Sequence, residues 1–433
     1  MTGRDNPLSK LTRRDVMKSM VVAGGAVVFA GYGRYDKAAA QDTIRISQWY
    51  HQYGEAGTED AAKRYAEQYT TENPAVEVEM VWVPGDYGAT ALPAALLTDK
   101  GPDVYEFSGL SWAMVQAGQA EPLDDLYTDA IKADFNPQDL AVNTVEGKVY
   151  GVKMIDDMGL LYYRKSVLEA AGIAAPTTFD EVIAASKALD TGRTKGLFVG
   201  NDGGIAALNQ IAPWSGGSDF LDPATNQITF NNERTVLAYQ KLKELNDSGS
   251  ILLGSPTDWW DPSAFNDGLV AMQWTGLWAM PGITAAIGDD FGVMPWPALD
   301  STGTPATFWG GWSEFVNPKG EHQQIAEAKK FVDWLWIQKT DLQQDWSLSY
   351  GFHVPPRISA AAAAEPLKTG PASEAVAFLS QYGKAVPPQW TSAMGTFLTD
   401  TVTNIVKNGA DAASEVAACA EKCQAELDKV VGA

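Results

Sequence analysis

The chain has 433 residues, too long for one ordinary core, so two domains or lobes are expected. Its formal charge of −22 argues against nucleic acid as a partner, because phosphates would be repelled by such a surface. Its 45% apolar and 20% charged residues are normal for a globular protein, but 15 tryptophans are many.

The first segment reads as an export signal. Basic residues in Thr12-Arg-Arg-Asp-Val-Met-Lys18 precede an apolar run at 20–30, and Ala38-Ala39-Ala40 supplies small residues for cleavage. The Arg13-Arg14 pair points to the twin-arginine route and hence to the periplasm. Eleven apolar residues are too few to span a bilayer, which needs about 20. Without residues 1–40 the chain carries 25 basic and 51 acidic residues, a formal charge of −26.

Beyond the signal, "TIRISQW" (43–49) and "VEVEMVWV" (76–83) read as strands, with a helix over 58–74 between them. A second helix over 89–100 leads to a third strand, "PDVYEFS" (102–108). Strands alternating with helices imply a parallel α/β sheet, whose ligands sit outside the carboxyl ends of the strands. Those ends carry Trp49-Tyr50-His51, then Asp86-Tyr87, then Glu106-Phe107-Ser108.

The middle of the chain, 145–173, reads as a hairpin, a strand and a helix start. Amphipathic helices follow over 177–190, 231–249 and 321–338, and the tail from Pro371 is mainly helical. Cys419 and Cys423 lie four apart on that tail, a spacing too wide for an unstrained disulfide within a regular helix.

No P-loop, Gly-x-Ser-x-Gly elbow or His-Glu-x-x-His motif is present. His51, His322 and His353 are isolated from one another. His322 is expected at a helix start, in solvent. Asp156 and Asp157 follow a strand and should point to opposite faces, which makes them a poor pair for glycoside hydrolysis. Asp156 is expected at the surface and Asp157 toward a pocket.

The positive signal is the tryptophans, which gather between 258 and 312: Trp259, Trp260, Trp274, Trp278, Trp296, Trp309 and Trp312, with Trp214 upstream. Flat indoles match the C–H faces of sugar rings, and carboxylates or amides match the hydroxyls. Trp334 and Trp336 fall on an amphipathic helix and are expected in a core. Trp309 and Trp312 flank paired glycines, which favours a site. Glu314, on the same strand, is expected to alternate away from it.

Five segments together resemble the extracellular solute-binding proteins of ABC importers, in the branch that binds maltose and other sugars or polyols. They are "LLYYRKSVLEAAGI" (160–173), "LVAMQWTGLWAMPGI" (269–283), "FGVMPWP" (291–297), "GGWSEFVNPKG" (310–320) and "SYGFHVPPR" (349–357). The resemblance implies an α/β, two-lobed periplasmic binding protein fold, each lobe a mainly parallel sheet flanked by helices. Three crossings would join the lobes near 154–158, 310–313 and 350–356. Residues 41–154 with 314–350 would form one lobe, and 155–313 with 351–433 the other.

The same resemblance implies that Glu106 and Asp157 accept hydrogen bonds from ligand hydroxyls and that Trp274 stacks on a ring. Gly311 and Trp312 would offer close backbone approach and a second stack, and Arg357 would reach in from the third crossing. Trp49, His51, Asp86 and Tyr87 would line the first loops, with Trp214, Trp260 and Trp309 as further aromatic candidates. The expected partners are a carbohydrate or polyol and the transmembrane subunits of an ABC permease, with the protein a monomer that uses no metal or cofactor. A secreted carbohydrate-active lyase or hydrolase using cleft carboxylates is the alternative.

Overall fold

The computed structural model describes residues 43–432. The expected export signal, its Arg13-Arg14 pair and the cleavage point near Ala40 lie outside the described residues.

Fifteen strands follow in chain order: β1 (Ile44–His51), β2 (Val76–Val83), β3 (Val104–Phe107), β4 (Thr144–Val145), β5 (Lys148–Val149), β6 (Gly151–Asp157), β7 (Gly159–Tyr163), β8 (Lys195–Phe198), β9 (Leu221–Asp222), β10 (Gln227–Ile228), β11 (Val270–Gly276), β12 (Gly292–Met294), β13 (Thr307–Phe308), β14 (Gly310–Val316) and β15 (Gly383–Lys384). They build two main sheets, one ordered β2-β1-β3-β14-β6 and the other β12-β7-β11-β8. Each is the floor of a lobe. β1 runs parallel to β2 and β3, but β14 is antiparallel to both β3 and β6. In the second sheet only β11 and β8 are parallel; β7 runs against both β11 and β12. The sheets are therefore mixed where mainly parallel ones were expected. The cause lies in the passages between sheets. β6 and β7 are separated only by Met158, so the chain enters the second sheet without a crossover helix to turn it round. β14 returns beside β6 in the opposite sense. A third passage lies between the helix Thr340–Leu348, which carries Trp346 into the first core, and the helix Ile358–Ala363.

Helices form where apolar spacing and caps agree. Thr58–Glu72 buries Ala61, Ala62, Tyr65, Ala66 and Tyr69 on one face. Phe179–Leu189 starts at a capping box, Thr178 with Glu181. The last helix, Ala412–Val431, packs Val416, Cys419, Cys423 and Leu427 into the second lobe's core. The two thiol sulfurs lie 4.0 Å apart, in hydrogen-bond contact but with no disulfide. That helix also reaches the first lobe: Gln116, on the short helix Trp112–Gln116, donates from Nε2 to the Val430 carbonyl at 2.6 Å. No described helix is long and apolar enough to cross a membrane.

Three local expectations need correction. Trp336 is buried as expected, but Trp334 is only half-buried. It sits where the helix Ile325–Asp333 widens into a π-type turn, and its Nε1 donates to Glu72 at 2.8 Å. His322 is not free in solvent: its Nδ1 lies 2.7 Å from an Asp103 carboxylate oxygen. Trp274 is wholly buried rather than presented to a ligand. β11 is buried on both faces, so strand position alone places this indole in the core. Its ring meets Trp296 edge-on at 5.8 Å and fills the space left by Gly159, where a Cβ would come within 2.1 Å of the ring. Trp274→Ala is expected to cost about 3–5 kcal/mol of stability, as truncation of a large buried aromatic does. Chemical denaturation of the variant checks this; a native midpoint with selectively weakened ligand binding would contradict the core placement.

Candidate functional site

At the carboxyl end of the first sheet, Glu106 organises the neighbours rather than facing out. It is fully buried, and both carboxylate oxygens are engaged. One accepts the His51 backbone N–H at 2.6 Å and pairs with His51 Nδ1; the other accepts the Tyr53 hydroxyl at 2.7 Å. The Tyr87 hydroxyl donates to the Glu106 carbonyl at 2.8 Å. With no exposed surface and both oxygens engaged by neighbours, Glu106 faces inward, contrary to expectation. It fixes a set of rings: His51 stacks on Trp312 at 4.0 Å and 20°, and Tyr53 lies 3.9 Å from His51. Trp49 is half-buried beside this group. Asp86 lies exposed at the next strand end, where its carboxylate accepts from Ala89 N–H and Thr90 Oγ1 and so holds its own turn.

Glu314 is paired opposite Glu106 in β14 and is wholly buried. It accepts from Gln48 Nε2 at 2.7 Å and Trp336 Nε1 at 3.0 Å. Burial first, and then nearby Glu106, push its carboxyl well above the ordinary range.

At the passage between sheets, Gly310 lies opposite Asp157 and Gly311 opposite Asp156. Gly311 has φ +100°, and a Cβ there would sit 2.1 Å from the Ile155 carbonyl oxygen, so only glycine fits. The two aspartates diverge, as strand alternation requires, but neither lies at the surface. Asp156 is 2% exposed, against expectation. Trp309 Nε1 bridges it to Asp139, at 3.1 and 2.8 Å. Lys153 Nζ is 3.5 Å from Asp156 and donates to the Gly310 carbonyl at 2.7 Å. Burial, and then Asp139's charge, hold the Asp156 carboxyl well above its usual value despite Lys153; burial likewise raises Asp139. Asp157 turns the other way and binds His353 Nδ1 at 2.6 Å. Glu55 lies 3.8 Å from the far imidazole nitrogen. Burial works to lower the His353 pKa, but Asp157 and then Glu55 outweigh it and hold the imidazole above its ordinary value.

The second lobe contributes Trp214, Phe308 and a group after β11. Trp278, on the turn Leu277–Ala279, is half-buried, with its Nε1 donating to the Trp260 carbonyl at 2.9 Å and its ring 6.0 Å from Trp259. Trp260 itself is half exposed, at 50%. Trp278 is the aromatic that the segment 269–283 brings to the open side in place of Trp274. The legible signal was that it falls just past the strand's end. Arg357 does not reach in: Asp134 takes its Nε at 2.7 Å, the Ile337 carbonyl its Nη1 at 2.7 Å, and Phe135 packs under the guanidinium.

Between the lobes lies a chamber of about 190 Å³, lined by Phe107, Ser108, Lys153, Trp214, Phe308 and Trp309 among others. One edge is closed where Trp112 N–H donates to the Pro388 carbonyl at 2.9 Å. The structure thus brings Trp214 and Trp309 to the residues just past Glu106. It gathers His51, Tyr53, Glu106, Tyr87 and Trp312 into one assembly, and leaves Trp274, Arg357 and Asp86 out of both.

A family model described as bacterial extracellular solute-binding protein matches residues 64–375. A probable ABC transporter-binding protein of Deinococcus radiodurans is 30% identical over 222 residues, 47% of this chain and 51% of that relative, so the match spans about half the relative's length. A maltotriose-binding protein of Pyrococcus abyssi is 24% identical over 286 residues, 64% of this chain and 60% of its own. Among solved structures, an ABC transporter solute-binding protein from Thermotoga lettingae bound with α-D-tagatose superposes with a TM-score of 0.75 at 19% identity, covering 88% of this chain and 99% of that one.

The Asp139–Asp156 pair makes a pH prediction. A carboxyl whose pKa is raised on folding favours the native state below its unfolded value, and that contribution is lost as pH rises through the folded value. The melting temperature is therefore expected to fall as pH rises above the ordinary carboxylate range, and Asp156→Asn to flatten that slope. Thermal melts across pH check it; an unchanged slope in the variant would remove the pair as its source.

Proposed function

The chain belongs to the bacterial extracellular solute-binding protein family, and from that premise we propose that it captures a neutral sugar or polyol between its lobes and delivers it to an ABC permease. The observation that carries the ligand class is the ring assembly of His51, Tyr53 and Trp312, held by Glu106 at the carboxyl ends of the first sheet. Flat aromatic faces beside hydrogen-bonding edges suit the C–H faces and hydroxyls of a carbohydrate. A strongly anionic ligand would want several free guanidinium or ammonium groups. Arg357 is tied to Asp134 and Lys153 to Asp156 and Gly310, so neither is free to serve.

We take Trp312, His51, Trp309, Trp278 and Phe308 as the contact surfaces; Trp214, 3% exposed in the core of the second lobe, supports them from behind. Glu106 and Asp157 act behind them. Ligand binds, the passages at β6–β7 and β13–β14 flex, and the closed form is selected by its higher affinity. Binding without turnover is favoured because Glu106, Asp156 and Asp157 are each committed to internal partners, which leaves no free acid and base flanking one bond. Export by the twin-arginine route and action as a monomer complete the reading.

Isothermal titration against a panel of sugars and polyols, followed in parallel by intrinsic tryptophan fluorescence, is the test. Trp312→Ala is expected to weaken binding by about 1–3 kcal/mol, as loss of a central aromatic anchor does, with an unaltered melting temperature. Heat with no carbohydrate in the panel would overturn the ligand class and leave the fold intact.

A further inference from the structure

All three passages between the sheets meet at one pair of side chains. Asp157 ends β6, in the first passage, and lies opposite Gly310, in the second. The third passage reaches the same point. Val354 exchanges two backbone hydrogen bonds with Asp156, at 2.8 and 2.9 Å. One residue earlier, His353 sets its Nδ1 2.6 Å from an Asp157 carboxylate oxygen. Its own N–H donates to the Ser347 carbonyl at 2.9 Å, which ties this joint to the helix Thr340–Leu348. Glu55, on the loop after β1, comes from the first lobe to within 3.8 Å of His353 Nε2. Gly351 lets it approach: a Cβ there would lie 2.9 Å from Glu55 Cγ and 3.3 Å from the Trp278 carbonyl oxygen of the second lobe.

Two carboxylates therefore flank one imidazole. The side chains of Asp157 and Glu55 are 8% and 15% exposed, so water screens them poorly. Cations on the surrounding elements are committed elsewhere: Lys153 to Asp156 and the Gly310 carbonyl, Arg64 to Asp345, Arg357 to Asp134. Tyr53, on the same loop as Glu55, donates to Glu106, and Asp156 faces Trp309. An imidazolium offers a proton to each carboxylate and cancels one of their two charges. A neutral imidazole still serves Asp157, but it has no proton for Glu55 and leaves two like charges at the joint. Burial opposes the charged form, yet Asp157 and then Glu55 outweigh it, so His353 titrates above its ordinary value. The attraction is thus complete below the ordinary histidine pKa of about 6.5 and is lost as pH rises through the raised value. It is present here with the lobes in contact at Trp112–Pro388 and Gln116–Val430.

We propose that His353 is a proton-operated clasp, which when charged draws Glu55 of the first lobe onto the three passages and favours the shut form, and when neutral lets the lobes part. The clasp acts without any solute, so it stands or falls separately from the solute reading. Spin labels on Leu97→Cys and Leu253→Cys, exposed positions on the first and second lobes, give the distance between lobes by pulsed dipolar spectroscopy; Cys419 and Cys423 are buried away from the label. The full chain is measured from about pH 5.5 to about pH 9 with no sugar added. Two distance populations are expected to change their ratio by about tenfold, the effect of a one-unit difference in proton affinity between the two forms. His353→Gln, which keeps a donor but no charge, is expected to hold that ratio constant across pH. Glu55→Gln, at a partly exposed position, is expected to remove most of the shift and serves if His353→Gln misfolds. A ratio that ignores pH in the parent chain overturns the clasp. A shift that survives undiminished in both variants assigns it to the Asp139–Asp156 pair instead, and overturns the clasp as well.

Discussion

Everything at the centre of this molecule depends on two strands passing side by side from one sheet to the next with almost no space between their backbones. β6 and β14 meet at Gly310–Asp157 and Gly311–Asp156, where a single methyl on residue 311 would strike the Ile155 carbonyl. That close approach sets the register. The register in turn sends Asp156 and Asp157 to opposite sides and lifts Trp309 and Trp312 into different surroundings. Trp309 is bound by its N–H to buried carboxylates, whereas Trp312 lies face to face with an imidazole.

A second theme is that acid groups near the cleft organise other side chains. Glu106, Glu314, Asp156 and Asp157 are all nearly inaccessible, and each accepts from a named neighbour. A carboxyl group is costly to bury without hydrogen-bond partners. Where the donors are rings or ring-bearing groups, meeting that requirement also fixes the rings in place. Carboxylates thus hold the aromatic surface from behind.

The sequence announced the first sheet well. Alternation in "VEVEMVWV" and the helix between the first two strands were legible because half-buried strands and amphipathic helices have distinct periods. The members of the aromatic assembly were legible at His51 and Tyr87 as residues past strand ends, and at Trp312 as a ring beside paired glycines. The roles within it were not. Whether Glu106 faces a ligand or a tyrosine depends on Tyr53, two residues past the end of β1, where the loop path has no periodic signature. Trp274 and Trp278 were confused because a strand buried on both faces shows no alternation by which to tell inward from outward. Arg357 was misplaced because Asp134, its partner, lies more than two hundred residues away. The mixed strand directions were hidden for a related reason: pairing direction follows from where the chain returns, not from any local pattern.

The contact between Gln116 and the carbonyl of Val430 carries a consequence for how the molecule reports on itself. The last turn of a helix has carbonyls with no partner of its own, and here one of them is satisfied by a side chain from the other lobe. Under the proposed closing motion, parting the lobes would withdraw that donor and leave the Val430 carbonyl to water. In the proposed cycle, a spectroscopic label on the helix Ala412–Val431 would read capture of a solute it never touches.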